Sequence, residues 1–242
     1  ISLAMTAVTR GKLSFSICAT GEIGRSPKII VWESKTMQRL QTLRGSHIRG
    51  VTQLAFSPDG STLASVGLDD VNSIELYDWK KGEVLCRVRT GPDKVFGMMF
   101  QVDRNNPVDD TRIITVGFKH MTFWEREGKH QLSSRDALFG KEFAGTITIV
   151  DVCFDVIGRI ITATNAGHIA VWLPKDEKSS HATMLPIGEG SIRDAHSGPM
   201  NCVEAVPGGN AVVSGGVDGQ VKIWICHPDP NLEIELSKTF DT

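Results

Sequence analysis

Three side chains near the end of the chain are of the types that perform nucleophilic catalysis. His196, Ser214 and Asp218 would supply a base, a nucleophile and an orienting acid, as in a hydrolase. The same types recur at the same intervals, 18 residues from His to Ser and 4 from Ser to Asp, in His47, Ser65 and Asp69. Because Ser214 also lies in the strand-like run AVVSGG, we interpret both sets as structural networks and predict no catalytic residue.

The other candidates for chemistry are histidines, glycines and cysteines. The seven histidines form no HxxxH, HExxH or paired Cys/His pattern, so we predict no metal site. The glycine-rich pieces at 188–190 and 208–209 lack the Lys-Ser/Thr pair of a phosphate loop, so we explain them as turns and predict no cofactor. The five cysteines form no CxxC pair, and their odd, scattered count favours a reducing compartment over a disulfide framework.

The charge of the chain is nearly balanced, with 26 basic and 28 acidic side chains and a net charge of -2. A nucleic-acid-binding protein usually carries a basic excess or stripe, and the densest basic stretch here is Arg44, His47 and Arg49. No run approaches the ~20 apolar residues that span a bilayer, and no signal peptide is visible. We therefore predict neither nucleic acid nor a membrane as a partner. Because Ile1 stands inside an apolar run, we expect the natural chain to begin further upstream.

The elements that must position these residues recur at a nearly constant interval. Five short β-type runs end in an aromatic residue, at steps of 45, 47, 48 and 52 residues: Trp32, Tyr77, Trp124, Trp172 and Trp224. Upstream of each aromatic residue lies a second run that ends in a small or hydroxylated residue, with Gly two positions later in four of the five cases. Alternating apolar runs and Pro-Asp-Gly or Pro-Gly-Gly turns complete a unit of four strands.

Four strands every ~45 residues are typical of a β-propeller blade, whose faces are buried by neighbouring blades. A β-sandwich is the alternative, but it has no reason to repeat the same positions at constant spacing. We predict an all-β chain with almost no helix, forming one propeller segment over residues 1–242 with blades at about 1–45, 46–91, 92–140, 141–192 and 193–242. Since a propeller usually closes with seven blades, we expect this segment to belong to a larger ring. A five-bladed ring and end-to-end pairing of two chains are the alternatives.

At these positions the sequence resembles the WD-repeat family, whose blades carry a bonded tetrad of His, Ser or Thr, Asp and Trp. The last blade has all four as His196, Ser214, Asp218 and Trp224. The second has His47, Ser65 and Asp69, with Tyr77 in place of Trp. The resemblance implies that these eight residues form structural tetrads that rigidify their blades.

The other three blades depart from the WD-repeat pattern. Ala19 stands at the hydroxyl position of the first blade, the third blade has a turn one residue shorter, and Ala166 stands at the Asp position of the fourth. The Trp-Asp dipeptide is intact in no blade. These three blades are therefore atypical, and the resemblance does not imply tetrad bonding in them.

A closer resemblance, to the echinoderm microtubule-associated-protein-like family, covers nearly the whole chain. It rests on stretches such as IIVWESKTMQRLQTLRG and RDAHSGPMNCVEAVPGGNAVVSGGVDGQVKIW, and on Tyr77-Asp78-Trp79 and Leu138-Phe139-Gly140-Lys141. That family carries tandem atypical propellers, and this chain is similar to the first of them. The resemblance implies a non-catalytic, tubulin-binding propeller of a microtubule-associated protein, located in the cytoplasm on the cytoskeleton. It also implies that stable attachment depends on segments outside the propeller, so that this segment alone binds weakly or not at all.

Two other functions remain open. A generic WD-repeat scaffold for protein–protein interaction would keep the fold and change the partner. An enzyme would require convergent carboxylates or a metal at a central channel, whereas the first-strand runs VTQLAF and NCVEAV are mostly apolar or small. The candidate binding loops include the insertions Gln101–Thr111 and Pro174–His181 on one face of a propeller, and Ser46–Gly50 and Ala195–Pro199 on the other.

Overall fold

The computed structural model describes the backbone of residues 2–10, 13–101, 112–128, 130–137, 148–156, 158–174, 182–184, 192–227 and 234–242. Side chains are described from residue 16 onward within these ranges, apart from 173–174, 182–184 and 192–193. Every regular element in this part of the chain is a β-strand, which confirms the all-β prediction. None of the described residues belongs to a helix that is long and apolar enough to cross a bilayer.

The first three sheets each contain four consecutive strands. The first consists of Ser2–Arg10 (β1), Leu13–Gly21 (β2), Lys28–Glu33 (β3) and Arg39–Arg44 (β4). The second consists of Val51–Phe56 (β5), Thr62–Gly67 (β6), Ser73–Asp78 (β7) and Glu83–Arg89 (β8). The third consists of Val95–Phe100 (β9), Arg112–Gly117 (β10), His120–Glu127 (β11) and Gln131–Asp136 (β12).

The last two sheets differ in strand number. The fourth consists of Ile149–Phe154 (β13), Ile160–Thr164 (β14), His168–Pro174 (β15), Ala182–Met184 (β16) and Ile192–Asp194 (β17). The fifth consists of Met200–Ala205 (β18), Ala211–Gly216 (β19), Gln220–Cys226 (β20) and Ile234–Asp241 (β21). Both β16 and β17 pair with β15, at Trp172–Pro174 and His168–Ala170 respectively. The outer strand of the fourth sheet therefore comes in two pieces, and the predicted blade boundary at residue 192 falls inside the second piece.

The sheets repeat their irregularities as well as their order. Between the first two strands, a register shift occurs at the same place in the second, fourth and fifth sheets. Between the last two strands, a shift occurs beside the aromatic residue in the first, second and fifth sheets, at Trp32, Tyr77 and Trp224. A β-bulge bends a strand and increases its twist, so the repeated bulges give these sheets similar shapes. Sequence positions can therefore be equated between sheets through the strand register.

The chain forms two compact units: Ile1–Ile114 with Trp124–Ser134, and Thr115–Phe123 with Arg135–Thr242. The third sheet contributes residues to both. In the first unit, one apolar cluster joins the first and second sheets, for example Ile29 and Val31 with Leu63 and Tyr77. A second cluster joins the second sheet to β9 and to neighbouring residues of the third sheet. Burial of sheet faces by the next sheet in sequence is the packing expected of propeller blades.

Candidate functional site

The tetrad residues of the last sheet form one continuous hydrogen-bonded chain. Trp224 Nε1 donates to Ser214 Oγ over 2.9 Å, and His196 Nε2 lies 2.8 Å from the same oxygen. His196 Nδ1 lies 2.9 Å from Asp218 Oδ1. A carboxylate can only accept, so the Nδ1–H of His196 donates to Asp218. Nε2 of the neutral imidazole then accepts from the Ser214 hydroxyl, whose oxygen accepts from the Trp224 indole. Every polar atom of the set thus has a partner, although Ser214 is fully buried.

The carboxylate at the end of this chain also binds backbone groups. Asp218 accepts hydrogen bonds from the N–H groups of Ser197 and Gln220. Burial alone would raise the pKa of Asp218, but the hydrogen bonds from His196 and these two N–H groups lower it to about 2. The network therefore fastens the turn between β19 and β20 to the segment that precedes β18.

The second sheet makes a related network with different connections. His47 Nε2 lies 2.7 Å from Ser65 Oγ, as in the last sheet. Asp69, however, stands 4.0 Å from His47 Nδ1, and Ser73 bridges the gap: its Oγ donates to Asp69 over 2.5 Å and lies 3.3 Å from Nδ1. The turn between β6 and β7 is two residues longer than its counterpart between β19 and β20, which leaves room for the bridging serine.

Tyr77 replaces the expected tryptophan, and its hydroxyl binds a buried acid that the sequence did not single out. Tyr77 Oη donates to Glu75 over 2.5 Å, and Glu75 also accepts hydrogen bonds from the N–H and hydroxyl of Ser46. Burial alone would raise the pKa of Glu75, but these hydrogen bonds and the nearby His47 hold the pKa below its ordinary value. Burial and the Glu75 carboxylate together raise the pKa of Tyr77. The second sheet therefore has Ser73, Glu75 and Ser46 as bonded polar groups in addition to the four tetrad positions.

The equivalent of Glu75 in the last sheet is Lys222, which lies two residues before Trp224 just as Glu75 lies two before Tyr77. The Lys222 ammonium donates to the carbonyl of Ala195, the residue before His196, whereas Glu75 accepts from the N–H of Ser46, the residue before His47. At this position of the third strand, either a carboxylate or an ammonium group can therefore bond to the segment before the first strand. The signal in the sequence is a charged residue at an inward-facing position of a strand.

The prediction that Ala19 occupies the hydroxyl position of the first blade is wrong. Trp32 pairs with Cys18 in the strand register, as Trp224 pairs with Val212, so the equivalent of Ser214 is Thr20. Thr20 Oγ1 accepts from Trp32 Nε1 over 3.0 Å, and Thr162 does the same for Trp172 over 2.9 Å in the fourth sheet. Aligning the sequence on Gly21 shifted the first blade by one residue, whereas the indole partner identifies the position correctly.

The third and fourth sheets show the expected departures. The turn between β10 and β11 has two residues, Phe118 and Lys119, against three between β19 and β20. Ala166 lies exposed in the turn between β14 and β15. The Thr164 hydroxyl supplies the hydrogen bond in that turn, because it accepts from the N–H of His168 and donates to its carbonyl.

The histidine of each network explains why glycine stands two residues after the serine, at Gly67 and Gly216. A Cβ atom at Gly67 would lie 2.2 Å from His47 Nδ1, and one at Gly216 would lie 2.4 Å from His196 Nδ1. Neither glycine has a positive φ, so the requirement is for space beside the imidazole ring. In the first and fourth sheets, where no such histidine is bonded, the equivalent positions carry Glu22 and Thr164.

The geometry of the two His-Ser-Asp sets does not suit catalysis. Ser65 and Ser214 are fully buried, and the Ser214 oxygen is already engaged by an indole N–H. A nucleophile needs access to substrate, which these side chains lack. Among the described residues, no group of three or more His, Cys, Asp or Glu side chains could hold a metal ion.

The densest basic stretch does not form a cationic surface. His47 is buried within its network, and Arg49 pairs with Asp70 at 2.9 Å on the surface. Only Arg44 of the three is exposed outside a described ion pair. The loops that carry these residues instead present aliphatic side chains.

Three of these aliphatic side chains lie on loops that are joined to one another by backbone hydrogen bonds. Ile23 pairs with Gly50 as an isolated bridge, the N–H of Ser26 donates to the carbonyl of Ile48, and the N–H of Leu68 donates to the carbonyl of Gly50. Ile23, Ile48 and Leu68 are 66%, 61% and 40% exposed. We call these three residues the aliphatic loop cluster. Exposed apolar side chains on loops that are bonded to one another are candidates for a protein-binding surface. Apart from their first residues, the predicted loops Gln101–Thr111 and Pro174–His181 lie outside the described residues, as does the Leu138–Lys141 motif.

Comparison with known proteins connects this chain to one family. Residues 13–242 match the family model described as the echinoderm microtubule-associated protein first beta-propeller. Human echinoderm microtubule-associated protein-like 1 is 28% identical over 213 residues, covering 86% of this chain and 24% of that protein. The 77 kDa echinoderm microtubule-associated protein of Lytechinus variegatus is 26% identical over 215 residues, covering 85% and 30%.

Two further similarities extend this picture. Cilia- and flagella-associated protein 44 of Mus musculus is 26% identical over 209 residues, covering 85% of this chain and 10% of that protein. The solved β-propeller domain of Cps50 (Swd1) from Myceliophteria thermophila superposes with a TM-score of 0.74 at 14% identity, covering all of this chain and 72% of that one. The structural likeness establishes the propeller fold, and the chain spans a third or less of the length of these curated relatives. The match of the family model to almost every residue shows that this chain belongs to the echinoderm microtubule-associated protein family, as its first β-propeller.

Proposed function

We propose that this propeller is a non-catalytic protein-binding module that contacts tubulin, within a microtubule-associated protein of the cytoplasmic cytoskeleton. The observation that carries the proposal is the family match over residues 13–242. The relatives are named as microtubule-associated proteins, and the chain shares their first propeller rather than a short motif. The proposal concerns the whole protein, because this chain covers only 24% and 30% of these relatives.

The hydrogen bonding of the polar side chains supports a non-catalytic function. The histidines, acids and hydroxyls with catalytic potential are buried and bonded to one another, as in the set around Ser214. Such networks rigidify a sheet and leave no free nucleophile or base among them. The aliphatic loop cluster supplies the opposite property, apolar side chains held on a fixed backbone and open to a protein partner.

A second candidate, a WD-repeat scaffold with a partner other than tubulin, is supported by a specific similarity. Cilia- and flagella-associated protein 44 resembles this chain over nearly the same length as the microtubule-associated relatives do. The same fold could therefore serve a different partner. Affinity purification of the full-length protein separates the two functions by whether tubulin or another complex dominates the bound fraction.

The test of the first candidate is co-sedimentation of the full-length protein with assembled microtubules over a range of salt concentrations. We expect the protein in the pellet with microtubules and in the supernatant without them. A protein that stays in the supernatant at every salt concentration contradicts tubulin binding.

A matched pair of variants tests the surface separately. Ile48→Asp changes the aliphatic loop cluster, whereas Val84→Asp changes an exposed residue of the outer strand β8. We expect Ile48→Asp to reduce pelleting and Val84→Asp to leave it unchanged. Equal behaviour of the two variants would contradict a role for the cluster and leave tubulin binding itself standing.

A further inference from the structure

The chain contains two serine-proline pairs, the dipeptide in which proline-directed protein kinases phosphorylate serine. Of the ten prolines, Pro27 and Pro58 follow a serine and none follows a threonine. Ser57 is buried, its hydroxyl donates to Asp59 over 2.6 Å, and the same oxygen accepts from the N–H of Thr62. The hydroxyl of Ser57 is therefore closed to a kinase.

Ser26, in the other pair, has the opposite surroundings. It is exposed in the loop between β2 and β3. No hydrogen bond joins its hydroxyl to any residue that the structure describes. The two pairs therefore differ in the access that a modifying enzyme would have to the hydroxyl.

The backbone at Ser26 is strained. Its φ is +53°, in the left-handed region that residues with a Cβ atom rarely adopt, and a residue before proline prefers an extended conformation. Two backbone hydrogen bonds hold the loop: the Ser26 N–H donates to the Ile48 carbonyl over 3.2 Å, and the Gly24 N–H donates to the Arg49 carbonyl over 2.8 Å. Because release of these bonds relieves the strain, the loop can open into the extended form that a kinase binds.

Opening of the loop is needed because Pro27 is buried, whereas the base of the loop is held by separate contacts. The N–H of Glu22 donates to the carbonyl of Lys28, and the Glu22 carboxylate accepts from the Lys28 N–H. The pairing of β2 with β3 ends at Gly21 and so does not include the loop. Residues 23–27 can therefore leave the surface without unfolding of the sheet.

We propose that Ser26 is a phosphorylation site for a proline-directed serine kinase, and that its phosphate disables the aliphatic loop cluster for protein binding. Ser26 Oγ attacks the γ-phosphorus of ATP, and the bond from this phosphorus to the β,γ-bridging oxygen breaks. ADP leaves, and the hydroxyl proton passes to an aspartate of the kinase. The second half rests on the proposed function, since it takes the cluster as a binding surface, and the first half does not.

The phosphate acts by placing charge beside apolar side chains. It brings a charge of about −1.5 to −2 to the residue whose N–H bonds to Ile48, three positions after Ile23. A partner that covers these two isoleucines would have to strip water from the phosphate, which weakens binding. Arg25 is adjacent and exposed, and Arg49 has only a weak surface ion pair, so both guanidinium groups are available to the phosphate.

Mass spectrometry of phosphorylated sites tests the first half. The full-length protein is incubated with a purified mitogen-activated protein kinase and ATP, and peptides of residues 21–32 and 52–63 give the rates for the two pairs without a fold. Relative to its own peptide, we expect Ser26 to be phosphorylated in the folded protein at least about tenfold faster than Ser57. No phosphate on Ser26, or equal relative rates, would overturn the site.

Co-sedimentation of the full-length protein with microtubules tests the second half. Kinase-treated parent is compared with kinase-treated Ser26→Ala, which carries any phosphate added elsewhere. We expect treatment to raise the microtubule concentration for half-maximal pelleting by about tenfold in the parent only, because a charged group then blocks the cluster.

The outcomes separate the two halves of the proposal from the proposed function. No shift in the parent, or an equal shift in Ser26→Ala, would overturn the switch while the phosphorylation site stands. Untreated protein that stays in the supernatant would contradict tubulin binding and with it the switch. The phosphate on Ser26 is decided by the mass measurement alone.

Discussion

The sharpest consequence of the structure concerns the Ser214 hydroxyl, which is the centre of the network in the last sheet. It accepts from Trp224 Nε1 and donates to His196 Nε2, and all three groups are buried. Ser214→Ala removes the hydrogen-bond partner of both Trp224 Nε1 and His196 Nε2. Both nitrogen atoms are then buried and without a partner. Since each unsatisfied buried group costs about 1–3 kcal/mol, we expect the free energy of unfolding to fall by about 2–6 kcal/mol.

Urea unfolding followed by tryptophan fluorescence measures this loss. With a slope of about 3 kcal/mol per molar urea for a chain of this size, the midpoint should fall by about 0.7–2 M. Ser214→Thr keeps the hydroxyl, as Thr162 does in the fourth sheet, and should recover most of the loss. Ser197→Ala removes an exposed hydroxyl from the same segment and should change the midpoint little. A midpoint for Ser214→Ala equal to that of Ser197→Ala would refute the reasoning.

Three further outcomes follow from the same contacts. Gly216→Ala should destabilise the chain strongly, because its Cβ would lie 2.4 Å from a histidine nitrogen, whereas Gly198→Ala, with open space, should be neutral in the same urea assay. Burial lowers the pKa of His47, although the negative charges of Glu75 and Asp69 oppose this shift. On acidification the unfolded chain therefore takes up the proton first. The free energy of unfolding should be at its full value above about pH 6.5 and decline below it, less steeply in His47→Gln. Burial raises the pKa of Cys86 and Cys226 to about 11, so both thiols should react with a thiol reagent at pH 8 only after unfolding, and rapid reaction in the folded chain would contradict their burial.

The repeat was readable from the sequence because packing between sheets imposes one aromatic residue at one register position. Trp32, Tyr77, Trp124, Trp172 and Trp224 lie on the third strands of the five sheets. The His-Ser-Asp intervals were readable because turns of fixed length bring those atoms together, as His196 and Ser214 show. Such features depend on local spacing and survive low sequence similarity.

Other features could not be read because they depend on register or on distant partners. The hydroxyl of Thr20 was missed because the neighbouring Gly21 resembled the glycine column, and only the bond from Trp32 identifies it. The role of Glu75 depends on a backbone N–H 29 residues away, at Ser46. The partner of a side chain, rather than its type, decided each of these cases.

The exchange of Glu75 for Lys222 at one position has a consequence for rebuilding the repeat. The acid recognises an N–H and the ammonium recognises a carbonyl, each in the residue before the histidine. A graft of β7 into the last sheet would bring a carboxylate against the carbonyl of Ala195, and like polarity would repel. We therefore expect a chimera that joins the last blade's preceding connection to the second blade's strands to be unstable. A chimera that transfers the connection together with the third strand keeps the matched pair and should fold. The transferable module of this architecture is offset from the sheet: it begins in the connection that precedes a blade and ends after that blade's third strand.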